Sequence, residues 1–257
     1  MRLTLATIAV LAFGTILSAT PGPGALALLC AESGSTCNGA LAQFQATGKF
    51  SSVDVFNTYT ATPALSDISG YGAVMAWTDS APADPVGLGN LLASYYALGG
   101  KRLTIATYSF STSWAITGTV MGGSYAALTN MGVTGDVSGN LVATIPDPIF
   151  TGITLSSVQF FHNNSYAHPA LAPGATLLAT DGAGVNEIAR SANGVINVDL
   201  YPGYDAPANA AFYSLLAATL LGGTAALPVP VLSPVAGLIL MAGIVAVALY
   251  SLRRRAV

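Results

Sequence analysis

Carboxylates and aromatic side chains that follow predicted strands are the residues best placed to do chemistry in this chain. One acidic residue comes soon after the strand predicted at 25–30, and another follows the strand predicted at 73–77. Ligands of open α/β sheets bind at the carboxyl ends of strands, so we expect these side chains to meet at one edge. Carboxylates there also commonly fix loops or helix N-termini, and that interpretation stays open. The ligand-binding candidates, which suit a carbohydrate, are Glu32, Asp79, Trp77, Tyr108 and Trp114.

A serine-rich turn after the fourth predicted strand indicates a second possibility, nucleophilic catalysis. Ser109, Ser111 and Ser113 lie in this turn, and His162 and His168 are the two histidines of the chain. Attack by a serine needs a base within hydrogen-bond reach and a third group that orients the base. Serines in turns more commonly bond to nearby backbone. A serine-type hydrolase of glycan or ester substrates, with His168 as a candidate base, is therefore the alternative to binding.

The charge distribution excludes several other classes of protein. All eleven acidic residues lie between residues 24 and 227, against only four basic residues, so this region carries a formal net charge of −7. Nucleic-acid binding needs a basic surface, which this region lacks. The acids show no calcium-loop spacing, and the chain has no Walker loop or dinucleotide fingerprint. The sequence therefore predicts no metal, no cofactor and no nucleic-acid partner.

The two cysteines of the chain lie seven residues apart. Cys30 ends the first predicted strand and Cys37 follows a polar turn, with no histidine cluster that would indicate zinc. In an oxidising compartment the pair predicts one disulfide, which would stabilise a short loop by about 2–3 kcal/mol. Two separate thiols are the alternative.

Alternating strands and helices predict the framework that positions these residues. Asp-Gly and Asn-Gly pairs later in the chain predict hairpins, so an antiparallel meander joins a parallel core in a mixed sheet. The stretch between the second and third strands, at 65–70, has room for one helical turn only. The region from 111 to 172 is rich in glycine, with short strands predicted at Val142 and at 153–155. The main predicted elements are strands at 25–30, 53–57, 73–77 and 101–108, helices at 40–48 and 85–98, the meander at 175–201 and a closing apolar helix at 208–221.

The order of several segments resembles the class I glutamine amidotransferase-like superfamily, and within it the ThuA-like branch. This resemblance implies a flavodoxin-like three-layer sandwich with a mixed, mostly parallel sheet. Amidotransferases of the superfamily place a nucleophilic cysteine in a tight turn after a strand. The corresponding turn here, 108–114, contains no cysteine, and the His-x-Glu partner is not recognisable, so amidotransferase activity is not expected. The segments that carry the resemblance are residues 71–79, the helix that ends at Gly99–Gly100, 103–108, 168–171 and 193–202, within residues 25–222.

The amino-terminal end predicts export. Met1 and Arg2 form a short positive region, an apolar stretch from Leu3 to Leu17 follows, and small residues come next. This order is typical of a secretory signal peptide, here residues 1–20. The predicted domain then covers residues 24–227.

The carboxyl-terminal end, residues 228–257, predicts a sorting signal. The uncharged run at 235–252 would be about 27 Å long as a helix, enough to cross a bilayer core. An arginine cluster then holds the far end in the cytoplasm. This order resembles the PEP-CTERM and IPTL-CTERM signals of Gram-negative bacteria, which implies cleavage near a short box by an exosortase-type protease. An unprocessed membrane anchor is the alternative. The residues concerned are the box Val229, Pro230, Val231, Leu232 and Ser233, and the cluster Arg253, Arg254 and Arg255.

The sequence as a whole therefore predicts an exported, non-catalytic domain that carries an amidotransferase-like fold. We expect it to face the periplasm from the inner membrane and, after processing, to reach the cell surface or extracellular matrix. Its expected partners are the membrane, the sorting protease and an extracellular glycan or another envelope component. A further alternative is a membrane-tethered protein whose apolar helix at 208–221 docks another chain.

Overall fold

Four parallel strands and three helices from the first half of the domain form the frame of the molecule. The structure is a computed structural model, and it describes residues 24–110, 112–122, 124–129, 140–159, 168–203 and 208–222. The elements in chain order are β1 (Leu26–Ala31), α1 (Gly34–Ala46), β2 (Val53–Asn57), α2 (Leu65–Ile68), β3 (Ala73–Thr78), α3 (Pro85–Ala97) and β4 (Arg102–Ala106).

The second half adds shorter strands and a final helix. These are β5 (Leu128–Thr129), β6 (Val142–Ala143), β7 (Ala170–Leu171), β8 (Thr176–Thr180), β9 (Asn186–Arg190), β10 (Ile196–Val198) and α4 (Ala210–Leu221). Single 3-10 turns lie at Thr119–Met121, Pro148–Phe150 and Leu155–Ser157.

Eight strands form one mixed sheet in the order β2-β1-β3-β4-β10-β9-β8-β6. The pairs from β2 to β10 are parallel and those from β10 to β6 are antiparallel. The predicted mixed α/β sheet is therefore confirmed. The second predicted hairpin turns at Gly194, whose φ of 90° lies in the left-handed region that glycine adopts without strain.

The chain changes direction across the sheet at β1. From β1 it first crosses to β2 on one side, and later places β3 on the other side of β1. Such a switch point leaves a crevice outside the carboxyl ends of the two strands, where ligands of open α/β sheets bind. The loops that follow β1 and β3 therefore border the expected binding position.

Side chains of even-numbered and odd-numbered residues of β1 lie on opposite faces of the sheet, and each set belongs to a separate part of the core. Leu26 and Leu28 of β1 pack with α1 and α4, while Ala27 and Leu29 pack with α2 and α3. Both faces of β1 are fully buried, so the strand is apolar throughout, as is typical of a parallel sheet covered by helices. We call these the α1/α4 face and the α2/α3 face.

Two local predictions are wrong. Helix α1 begins at Gly34 rather than at residue 40, because Ser33 takes an extended N-cap conformation and the polar residues predicted as a turn form the first helical turns. The strand predicted at 153–155 is absent. The Ser157 hydroxyl and amide both donate to the Thr154 carbonyl oxygen at 2.8 and 2.9 Å, and such local bonds favour a 3-10 turn.

Helix α4 is part of the core. Asn209 caps its first turn by accepting a hydrogen bond from the Phe212 amide at 3.0 Å, and Gly222 ends it in the left-handed conformation. Its large apolar side chains are buried on the α1/α4 face, against Phe44 among others. The large apolar side chains of this helix are therefore covered within the domain, and docking of another chain by this helix stays a prediction.

None of the helices in residues 24–222 that the structure describes is long and apolar enough to cross a membrane. The signal peptide predicted at 1–20, the box at 229–233, the helix at 235–252 and the arginine cluster lie outside the described residues. These parts of the sequence analysis stay predictions.

Candidate functional site

Strand alternation brings the predicted ligand-binding residues to one face of the sheet edge. Trp77 points to the α1/α4 face of β3, and Glu32 and Asp79 continue the same parity beyond the ends of β1 and β3. Tyr108 does so beyond β4, and Tyr201, beyond β10, joins the same cluster. We call Glu32, Trp77, Asp79, Tyr108, Trp114 and Tyr201 the carboxyl-edge cluster.

The Glu32 carboxylate is the centre of this cluster. One of its oxygens, Oε1, accepts a hydrogen bond from the Trp77 indole N–H, and Oε2 accepts one from the Tyr201 hydroxyl at 2.5 Å. The Tyr201 hydroxyl also hydrogen-bonds to the carboxyl group of Asp79. Glu32 is 3% exposed, whereas Asp79 is half-buried. Asp79 is therefore the more accessible carboxylate, and Glu32 lies behind it.

The backbone around Glu32 is tied to both neighbouring strands. The side-chain amide of Asn57, at the end of β2, donates to the Glu32 carbonyl oxygen at 3.1 Å. From the β3 side, the amides of Asp79 and Ser80 donate to the Ala31 carbonyl oxygen at 3.0 and 2.9 Å. The two carboxylates are thus positioned by bonds across the switch point, and not only by their own strands.

A disulfide joins Cys30 to Cys37 and closes the loop that contains Glu32. Both cysteines are fully buried on the α1/α4 face, so the bond links the end of β1 to the first turns of α1 beneath the loop. A cross-link over seven residues restricts the conformations open to the loop in the unfolded chain. The position of the Glu32 side chain therefore depends on this bond as well.

Burial dominates the electrostatics of the cluster. Burial raises the pKa of Glu32 to about 7, and the charge of Asp79 adds to this, against the lowering effect of the hydrogen bonds from Tyr201 and Trp77. Burial also raises the pKa of Asp79, which its hydrogen bond from Tyr201 partly offsets. The pKa of Tyr201 lies far above its usual value because of burial and the nearby Glu32. Strongly shifted carboxyls at a sheet edge are typical of functional sites.

Aromatic rings form a wall beside the carboxylates. Tyr108 stacks edge-to-face on Trp114, with ring centroids 5.3 Å apart, and is 5.6 Å from the ring of Tyr201. Tyr108 and Tyr201 are buried, while Trp114 is half-buried and reaches the surface. The partly accessible members of the cluster are therefore one carboxylate, Asp79, and one indole ring, Trp114.

The candidate catalytic residues that the structure describes lie in different environments. Ser109 is fully buried, and its hydroxyl has no hydrogen-bond partner there, so no base activates it. Ser113 lies exposed on the turn, and His168 begins the segment that leads to β7. Ser111 and His162 lie outside the described residues.

A second polar row lies at the same edge on the α2/α3 face. The Thr107 hydroxyl donates to Asp199 Oδ1 at 2.5 Å, and Asp199 lies directly opposite Glu187 on β9, where its amide donates to the Glu187 carbonyl oxygen at 2.7 Å. All three residues are fully buried, and burial raises the pKa of Asp199 well above its usual value. Asp199 thus fixes the end of β10 inside the core.

A pocket of about 500 Å³ lies away from the cluster, beside β6 at the far end of the sheet. It is lined by Ala143, Thr144, Ile145, Pro146, Asp147, Phe150 and Thr151. The one charged side chain in this lining, Asp147, is already bound by Arg190 through two hydrogen bonds of 2.7 and 2.9 Å. The carboxylate of this pocket is therefore already paired with a basic residue, whereas the carboxyl-edge cluster offers a ligand the accessible carboxylate of Asp79.

Sequence reasoning missed two residues of the site. Tyr201 ends the predicted meander and was given no role in the site, because nothing local shows that β10 lies next to β4. Asn57 was assigned to a strand without a role, although its amide holds the Glu32 loop. A polar residue at the carboxyl end of a predicted parallel strand was the available signal for Asn57.

The fold is similar to that of a solved ThuA-like protein. No protein-family model matches the chain, and no curated protein matches its sequence. A protein described as ThuA-like from Bacteroides uniformis shares the fold with a TM-score of 0.50 at 10% identity, over 78% of this chain and 91% of that one. A glutamine amidotransferase from Methylobacillus flagellatus matches with a TM-score of 0.44 at 13% identity, over 71% of each chain. At 10% identity the similarity to the ThuA-like protein shows a shared α/β fold and nothing about function.

Proposed function

We propose that this chain is an exported, non-catalytic domain that binds a carbohydrate or another envelope component at its carboxyl-edge cluster. The observation that carries the proposal is the pair of carboxylates, Glu32 and Asp79, on either side of the switch point and joined through Tyr201. The half-buried ring of Trp114, which packs on Tyr108 in the same cluster, supplies an aromatic face, which sugar recognition uses together with acceptors. Asp79 and Trp114 are the residues that a ligand would touch.

The geometry favours binding over catalysis. Both oxygens of Glu32 are occupied by donors from Trp77 and Tyr201, and the side chain is buried. The best-placed serine, Ser109, is sealed in the core without a base on its hydroxyl in the described part of the chain. A serine-type hydrolase that used Ser109 would need this arrangement to change.

A binding assay on the full-length chain, purified in detergent, tests this function. We expect the protein to bind some members of an array of bacterial envelope oligosaccharides, and Asp79→Asn or Trp114→Ala to weaken that binding at least tenfold. Asp67→Asn is the matched control, since the Asp67 carboxylate lies on α2 and accepts only from its own helix start, the Ala64 amide. No binding across the array, or equal binding by all variants, would overturn the proposal.

Export and sorting are a separate part of the proposal. They rest on the signal-peptide pattern at 1–20 and the box, apolar run and arginines at 228–257. A disulfide at Cys30–Cys37 supports an oxidising compartment. Mass spectrometry of the mature chain should give a carboxyl terminus near 230–234 only in cells that contain the sorting protease. A chain that ends at Val257 in both strains would leave an unprocessed anchor instead.

A further inference from the structure

The basic residues that the structure describes all lie at one edge of the sheet. The four basic residues that the structure describes lie at the amino edge: Lys49 precedes β2, Lys101 and Arg102 begin β4, and Arg190 ends the antiparallel β9. Two of them are already bound there, Lys101 to backbone carbonyl oxygens and Arg190 to a carboxylate. At or just beyond the carboxyl edge lie six acids, of which Asp79 and Asp84 reach the surface and the others are buried: Glu32, Asp79, Asp84, Asp181, Glu187 and Asp199. No described basic residue neutralises the accessible carboxylates at this edge, and an uncompensated negative charge attracts ligands of positive charge.

The cluster itself has acceptors and aromatic faces to offer a ligand, and two of its donors are already used. The Trp77 N–H and the Tyr201 hydroxyl both point at Glu32. Carboxylates only accept hydrogen bonds when ionised, so a ligand of Asp79 has to bring donors. Hydroxyl and ammonium groups both bring donors, and an ammonium group also brings the positive charge that the described residues of this edge lack. A cation also binds favourably over aromatic rings.

We propose that the ligand of this site carries an ammonium group, as an amino sugar does, and that Asp79 and the neighbouring aromatic faces hold this group. The inference rests on the proposed function, because it names the class of ligand for the same site. It narrows a carbohydrate ligand to a glycan with free amino groups, in place of the neutral or N-acetylated sugars that aromatic platforms also bind.

Binding of a cation should expel a proton from the cluster. Glu32, with a pKa of about 7, is protonated below neutral pH, and a positive charge nearby favours its ionised form. The titratable groups that act on Glu32 are Asp79 after β3 and Tyr201 after β10, and Tyr108 after β4 acts on Tyr201. From the helices on this face, α1 contributes the disulfide and α4 the Tyr213 hydroxyl, which donates to a backbone carbonyl oxygen. Affinity should therefore rise as pH increases from about 5 to 6.5, below the pH at which the ammonium group of an amino sugar loses its proton.

Two oligosaccharides that differ only at nitrogen give the test. The probes are the β-1,4-linked tetrasaccharide of glucosamine and its fully N-acetylated counterpart, titrated calorimetrically into the full-length chain in detergent. We expect the amino form to bind at least tenfold more tightly, to release protons at pH 6 and to bind more tightly at pH 6.5 than at pH 5. Glu32→Gln should abolish the proton release.

Nonspecific attraction of a cation to an acidic protein is the main competing explanation. Asp79→Asn and Asp67→Asn each remove one carboxylate. Specific binding should be weakened at least tenfold by Asp79→Asn and unchanged by Asp67→Asn, whereas nonspecific attraction should be affected equally by both. Equal loss in both variants would overturn the inference, as would preference for tetralysine over the amino tetrasaccharide.

The remaining outcomes separate the two proposals. If the N-acetylated probe or another array glycan binds at the site as tightly as the amino probe does, the proposed function stands and the ammonium inference is wrong. If neither tetrasaccharide nor any array glycan binds, the proposed function falls and the inference falls with it.

Discussion

The buried carboxyl of Glu32 should make the stability of this protein fall as the pH rises towards 7. Its pKa is about 7 in the folded protein, against an ordinary value of 4.5. Between these pH values the folded protein keeps a proton that the unfolded chain has lost, so the free energy of unfolding decreases with pH. At about 1.4 kcal/mol per pH unit, the loss amounts to about 3 kcal/mol between pH 4.5 and 7. Below pH 4.5 and well above pH 7 this contribution is constant.

Glu32→Gln should remove this loss, because the amide has the shape of the protonated acid and does not ionise. Its oxygen can still accept from Trp77, and its amino group can donate to the Tyr201 oxygen. We expect the free energy of unfolding of the variant, minus that of the unsubstituted protein, to increase by about 3 kcal/mol from pH 4.5 to pH 7.5. Urea unfolding followed by tryptophan fluorescence, at several pH values, measures this difference.

Asp67→Asn is the control for this experiment, since Asp67 lies in the short α2 away from the cluster. Its stability should follow the unsubstituted protein across the whole pH range 4.5–7.5. Parallel pH curves for Glu32→Gln and the unsubstituted protein would refute the reasoning, because they would mean that Glu32 titrates alike in the folded and unfolded states.

Three further predictions concern the supports of the site. Tyr201→Phe removes a donor to the ionised carboxylate and should raise the pKa of Glu32 above 7, measured by carboxyl carbon NMR; an unchanged or lower midpoint would contradict this. Replacing both residues of the disulfide with serine should lower the free energy of unfolding by about 2–3 kcal/mol, and equal stability with and without reductant in the native chain would disprove it. Gly89→Ala should destabilise the protein by about 1–3 kcal/mol, because its new methyl group would lie 1.6 Å from the Thr117 carbonyl oxygen. Gly34→Ala, with open space around it in α1, is the control and should cost nothing in thermal unfolding.

Local sequence pattern was enough to predict half of the site. The apolar run of β1 and the strand that ends with Trp77 and Thr78 are clear signals, and their alternation assigns Glu32 and Asp79 to one face and one edge. Short-range pattern also predicted α3 and its position after β3. These features depend on residues close in sequence, where periodicity and turn chemistry are informative.

The other half of the site depends on long-range pairing that no local pattern encodes. Tyr201 reaches Glu32, 169 residues away in sequence, only because β10 pairs parallel to β4 at the centre of the sheet. The glycine-rich region between them gives weak periodicity, so the order of the strands was not readable. The start of α1 was missed for a different reason. Its first turns are made of polar residues, which are typical of a loop, and the buried Cys37 is the first residue on the side of the helix that faces the core.

The central claim is that ligand binds at the carboxyl-edge cluster, and the two tryptophans of the chain test it most directly. Both belong to this cluster: the Trp77 indole N–H bonds to Glu32, and the Trp114 ring packs on Tyr108. In the full-length chain labelled with ¹⁵N-tryptophan, we expect a bound glycan to shift both indole N–H signals, with Trp114→Phe providing the assignment. Binding of the same glycan at saturation with both signals unmoved would place the ligand elsewhere and contradict the account.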